Sequence, residues 1–350
     1  MKTAQNTTSA YSKNSFQCLK GYLAVCVLIH HLFQFDGFYL YSNTVNTSFG
    51  YSFYLLGHWA VALFMFLSGF GLYSSYLSKG RAYIKGFPRN RLLPYYASYL
   101  FFVIVYLVFE LARGKNVEVG LVLHSLTYGG TVIHFGWYFQ LALLLYVIFY
   151  VLMLVIRNER IFLPALCIAV LALMSYHFCI ASYYNVYEPA AIFIVGVIAA
   201  IRRIQRGTLF EVCTWKYLLI SLTLFFATTL VHVFMTFRHS ELMELNRLMF
   251  MLFLILLIVA DTALGVFFIS FAVVAAKYFP KVFFNPLSKF FGTHSLEIYA
   301  LQGLLLYVVN IYISNRIIFA MVTISCILLL SIPIHILLSK FKKLVYKEIN

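Results

Sequence analysis

Ten stretches of about 20 mainly apolar residues, divided by short polar loops, leave this chain few folds to choose from. A backbone inside the hydrocarbon must satisfy its own N–H and C=O groups, and a helix does so within one segment. The stretches run Phe16–Phe35, Tyr54–Leu77, Pro94–Ala112, Gly136–Ile156, Ile161–Ile180, Tyr184–Ile201, Tyr217–Phe237, Leu248–Ala276, Phe290–Ile313 and Ile317–Leu338. Charged residues make up 11% of the 350, too few to clothe a soluble globule of that size. The expectation is an all-α integral membrane protein, a bundle of about ten transmembrane helices. Residues 1–15 are expected as a cytoplasmic tail, 16–338 as one membrane domain and 339–350 as a basic cytoplasmic tail.

Loop charge tests this arrangement, because Lys and Arg concentrate on the cytoplasmic side. With the N-terminus inside, 21 of the 26 basic residues fall in inner loops, leaving Arg113, Lys115, Arg238, Arg247 and Arg316 outside. That asymmetry places both termini in the cytoplasm and the chain in the cell membrane as a multi-pass protein. It also accounts for the net charge of +15. No basic run with interleaved aromatics is present, so nucleic acid is not an expected partner; the lipid bilayer is.

Cys18, Cys26, Cys167, Cys179, Cys213 and Cys326 are scattered through apolar segments without metal-ligand spacing. They read as buried thiols, and no metal is expected. The polar N-terminus lacks the layout of a cleaved leader, so the first span is expected to serve as its own insertion signal. Tyr39, Tyr41, Tyr51 and Tyr54 flank spans, as interfacial anchors do.

Within the first span, Gln17, Lys20, Ala24, Val27, His31 and Gln34 recur at three- and four-residue steps, which puts them on one helix face. Ionisable groups in such surroundings mark functional sites. His30 points about 100° away and reads as structural. Glu297 lies about eight residues into the ninth span, where an ionised acid must be paired or neutral.

The segment "CLKGYLAVCVLIHH" (Cys18–His31) resembles the opening helix of the membrane acyltransferase 3 family, in which Arg-Gly is followed by apolar residues and a histidine eleven positions after the arginine; Lys20, Gly21 and His31 fall on those positions. "VALFMFLSGFGL" (Val61–Leu72), "RLLPYY" (Arg91–Tyr96), "HFGWYF" (His134–Phe139) and "SLEIYALQ" (Ser295–Gln302) are similar to four further signatures in the same order. Lys20 replaces the usual arginine, exchanging a planar fork for a point charge. Gln302 stands where a histidine is common. Arg89 and Arg91 partly match a double-arginine spacing.

The resemblance implies an O-acyltransferase that uses acyl-CoA, acetyl-CoA in the first instance, as co-substrate and holds no permanent cofactor. The acceptor class it implies is a hydroxyl of a cell-surface glycan or its lipid-linked precursor. His31 would act as general base, its ordinary pKa lying near working pH. Lys20, Arg89 and Arg91 would bind the donor, with Lys79, Arg81 and Lys85 completing a dense inner cationic loop. Trp137 and His134 would meet the acceptor, and Glu297 would orient an imidazole. Ser68 and Gly69 lack a nucleophile elbow and read as a close helix contact. Two other readings stand beside this one: a glycan or lipid transporter, for which repeated broken helices are wanting, and a non-catalytic relative.

Overall fold

The computed structural model describes residues 13–34, 46–177, 187–206, 215–237 and 247–348. Tyr39, Tyr41, Cys179, Cys213 and Arg238 lie outside them. The described residues are helical, with no strand among them. The helices are α1 (Lys13–Gln34), α2 (Asn46–Lys79), α3 (Arg81–Lys85), a π-helical turn at Pro88–Leu92, α4 (Leu93–Ala112), α5 (Val119–Leu126), α6 (Trp137–Val155) and α7 (Glu159–Tyr176). They continue with α8 (Tyr187–Arg206), α9 (Trp215–Phe237), α10 (Arg247–Tyr278), α11 (Pro280–Phe283), α12 (Pro286–Thr293), α13 (Ser295–Tyr312) and α14 (Arg316–Glu348).

Among the described residues, seven helical stretches are long and apolar enough to cross a membrane: Asn14–Phe33, Trp59–Lys79, Pro88–Ala112, Trp137–Val155, Ile258–Tyr278, Ser295–Tyr312 and Arg316–Val345. The expected fifth, sixth and seventh spans correspond to shorter apolar helices, Arg160–Tyr176, Pro189–Arg202 and Leu218–Thr228. The described residues thus show seven candidate spans where the sequence suggests ten. Leu111, Val155, Leu171, Leu230 and Leu329 stand exposed, a surface suited to hydrocarbon and not to water.

One other expectation changes. The ninth span is not one helix: the chain breaks at His294, so α12 ends at Thr293 and α13 starts at Ser295. Glu297 therefore sits in the first turn of α13, where the helix N-terminus favours a carboxylate, and not two turns inside. The last helix, α14, runs on through the basic residues to Glu348.

Local chemistry explains the helix ends. Asn315 caps α14 by accepting from the N–H groups of Ile317 and Ile318, each at 3.1 Å, and Asn158 caps α7 through Arg160 N–H at 2.9 Å. Pro94 lies in the first turn of α4, where its missing N–H costs nothing. The Arg81 guanidinium donates to the carbonyls of Met153 and Ile156, closing the C-terminus of α6.

The chain divides into two compact units. The first comprises Met1–Leu23, Trp59–Gly80 and Asn158–Lys289. In it Cys18 and Leu19 pack with Ala272, Ala275, Ala276 and Phe283. A Cβ on Gly69 would lie 2.1 Å from the Phe193 carbonyl oxygen, and one on Gly196 would lie 2.2 Å from that of Phe66. Glycine at both positions lets α2 and α8 meet backbone to backbone, the form of association that lipid permits without a hydrophobic drive.

The second unit comprises Ala24–His58, Arg81–Arg157 and Phe290–Asn350. Leu28 and Leu32 of α1 pack with Ile298, Leu301, Leu305 and Val309 of α13 and Phe319 and Ile327 of α14. A neighbouring core joins Tyr99, Phe102, Val103 and Tyr106 of α4 to Phe139, Ala300 and Leu338.

Candidate functional site

The polar stripe of α1 turns inward. Ala24, Val27 and His31 are buried in the second unit, with His31 6% exposed; Gln17 and Lys20 are half-buried in the first. His30 packs where Gly57 has no side chain: a Cβ there would lie 2.1 Å from the His30 ring.

The imidazole of His31 stacks on Phe135 with centroids 3.9 Å apart and meets Tyr299 edge-on at 6.4 Å. Phe135 has φ +62°, the left-handed region that costs a residue with a Cβ roughly 1–2 kcal/mol. Its surroundings impose this conformation. The Tyr299 hydroxyl donates to the Phe135 carbonyl. Upstream, the Gln140 amide donates to the carbonyls of His124 at 2.7 Å and Gly130 at 2.6 Å. The Val132 N–H donates to Ser125 Oγ at 2.9 Å, and the Tyr99 hydroxyl donates to Thr131 Oγ1 at 3.0 Å. Residues 127–136 are thus tied to α4, α5, α6 and α13, and the tie presents the Phe135 ring to His31.

His134 and Trp137 flank Phe135 in sequence. The His134 ring lies 5.6 Å from Tyr106 and 6.1 Å from Tyr307, and its Nε2 is 4.0 Å from Glu110 Oε1. Glu110 Oε2 also pairs with Lys115 at 3.2 Å and Arg113 at 3.5 Å, while the Arg113 guanidinium lies 4.1 Å over the Tyr307 ring. Gly303 makes room for His134: a Cβ there would be 2.6 Å from His134 Cβ. Trp137 opens α6, half-buried, with its ring 6.5 Å from Tyr138.

Glu297 Oε1 lies 2.7 Å from Nδ1 of the His335 imidazole. His294, at the junction just before the span, completes this group, its ring centroid 4.9 Å from that of His335. Burial pushes the His294 pKa down; the Glu297 carboxylate opposes that and His335 adds to it.

The cationic loop separates into different roles. Arg81 is spent on the end of α6. Arg89 and Arg91 are exposed on the π-helical turn, with Arg91 5.9 Å over the Tyr83 ring. Such turns recur at functional sites. Lys79 is exposed at the end of α2, in the first unit. Asp261 is buried on α10.

Sequence reading missed Phe135, Tyr299, Gln140, His294 and His335. His335 carried a signal, a histidine two residues after Pro333 within an apolar run. Phe135 and Gln140 carried none, because their roles arise from backbone conformation and from distant carbonyls. Among the described cysteines Cys18 is buried, whereas Cys26, Cys167 and Cys326 are only partly so; all four are free thiols.

No curated protein and no solved structure matches the chain. The acyltransferase domain family does, over residues 13–340. That match spans nearly the whole chain and includes every helix described here except the last turns of α14, so the protein belongs to the acyltransferase 3 family and is a membrane acyltransferase.

Proposed function

We propose that this protein is a membrane O-acyltransferase that moves an acyl group, acetyl in the first instance, from cytoplasmic acyl-CoA to a hydroxyl of a cell-surface glycan or its lipid-linked precursor. The observation that carries the reading is the buried His31 imidazole stacked on Phe135, within a chain matched to the acyltransferase domain. His31 takes the proton of the acceptor hydroxyl as its oxygen attacks the thioester carbonyl carbon. The tetrahedral intermediate collapses with cleavage of the C–S bond, and the imidazolium returns the proton to the leaving thiolate. The π face of Phe135 favours the imidazolium that forms between these steps.

Lys20, Arg89 and Arg91 bind the donor, the exposed arginines on their turn being suited to phosphate. Trp137 and His134 contact the acceptor, the first by stacking and the second through the Glu110 network. Both termini lie in the cytoplasm and the protein sits in the cell membrane.

Purified protein in lipid nanodiscs, given labelled acetyl-CoA and total surface glycan, tests the reading. His31→Ala abolishes labelling of the glycan while His30→Asn keeps it. Equal labelling by the two variants removes His31 from the mechanism, and no labelling by the unsubstituted protein removes the acetyl–glycan assignment.

A further inference from the structure

His294, Glu297 and His335 offer three ligand atoms that all lie within 4.8 Å of one another. Two come from the start of α13, spaced so that His294 and Glu297 are neighbours one turn apart, and the third comes from α14. Glu297 is 2% exposed, and its Oε1 is taken by His335 Nδ1. Its other oxygen, Oε2, is buried without a hydrogen-bond partner, and so is Nδ1 of His294. A buried carboxylate oxygen and an imidazole nitrogen, both lacking partners in the same cluster, are an unfavourable arrangement unless something electropositive joins them.

We propose that these three residues form a binding site for a divalent transition-metal cation of the zinc class. Two imidazoles and one carboxylate are the donor set that such borderline ions prefer, and three protein ligands leave a coordination position open. Tetrahedral ligand atoms at zinc distances stand about 3.4 Å apart, so modest side-chain rotations close the cluster onto the ion. Coordination replaces the hydrogen bond between His335 and Glu297. The His335 side chain is 44% exposed, so the cluster is not sealed within the protein. Lys342, two turns further along α14, is attracted to the same carboxylate and competes with the ion. Bound metal ties the first turn of α13 to α14, independently of whether His31 transfers an acyl group.

The test uses the full chain in detergent, purified through a tag without histidines, stripped with a chelator and dialysed against zinc alone. The expected result is one zinc per chain and a raised melting temperature, with Glu297→Gln and His335→Gln each weakening zinc affinity at least tenfold. Lys342→Ala tightens it. Zinc uptake unchanged in both ligand variants overturns the proposal, as does a stripped protein that takes up none. Should either ligand variant fail to fold, cobalt loaded into the unsubstituted protein decides. Intense visible bands of a low-coordinate site support the proposal, and the weak bands of hydrated cobalt overturn it. None of these readouts depends on acyl transfer, so failure of the acyltransferase reading and failure of the metal site are distinguishable.

Discussion

The His31 imidazole lies almost flat on the Phe135 ring, the planes inclined by 27° and the centroids 3.9 Å apart. A face-on aromatic ring stabilises a positive charge that develops on the imidazole while keeping bulk water from it. Phe135 has a left-handed backbone there, and its carbonyl accepts from the Tyr299 hydroxyl of α13.

Phe135→Ala is therefore expected to lower kcat about 5- to 30-fold, the equivalent of a desolvated cation–π contact of about 1–2 kcal/mol, with KM little changed. Phe135→Gly loses the same ring yet accepts φ +62° without strain, so it melts higher than Phe135→Ala. Turnover and thermal melts of the pair separate the ring's role from the backbone's; equal melting temperatures refute the strain argument.

Gln140 holds α5 and the segment after it through the carbonyls of His124 and Gly130, and a donor is what both require. Gln140→Leu removes the donor and costs about 1–3 kcal/mol of stability. Gln140→Glu is worse, because an ionised carboxylate faces two carbonyl oxygens with nothing to donate. Melts read the order, and a Gln140→Glu variant as stable as the parent would contradict it.

Arg91 and Arg81 should respond differently. Arg91→Ala leaves stability within about 0.5 kcal/mol, as exposed substitutions do, but weakens coenzyme A binding more than Lys79→Ala in a calorimetric titration. Arg81→Ala strips the carbonyls of Met153 and Ile156 and costs roughly 1–2 kcal/mol of stability. Equal coenzyme A affinities for the Arg91 and Lys79 variants count against a donor role for the π-helical turn.

Gln302 is 1% exposed, and neither its amide oxygen nor its nitrogen has a hydrogen-bond partner. An apolar replacement of similar size removes that penalty, so Gln302→Met is expected to raise the melting temperature by a gain of about 1–3 kcal/mol. A fall in melting temperature would show that the amide is satisfied in the folded protein.

The fold class was legible in the sequence because a bilayer leaves an apolar run of span length no option but a helix, and the run itself is written in the residues. The inward position of His31 was legible for the same reason: an ionisable group amid apolar neighbours on one helix face declares itself without neighbours from elsewhere. The break before α13 was not, since Thr293 and Ser295 are tolerated within helices and only packing decides whether the chain bends there. The short helix α5 escaped notice because eight residues are too few to span and too few to show a period.

Sequence alone thus determined an all-helical membrane chain, the inward face of α1 and the acyltransferase family. Tertiary structure alone decided what surrounds each polar group. It set Phe135 against His31, gave Glu297 to His335, and spent Arg81 on a helix end while leaving Arg91 exposed. The physical reason is that hydropathy and helical period are properties of neighbours along the chain. Hydrogen bonds and ring contacts join residues as far apart as Glu297 and His335, and only the packing of helices selects such partners.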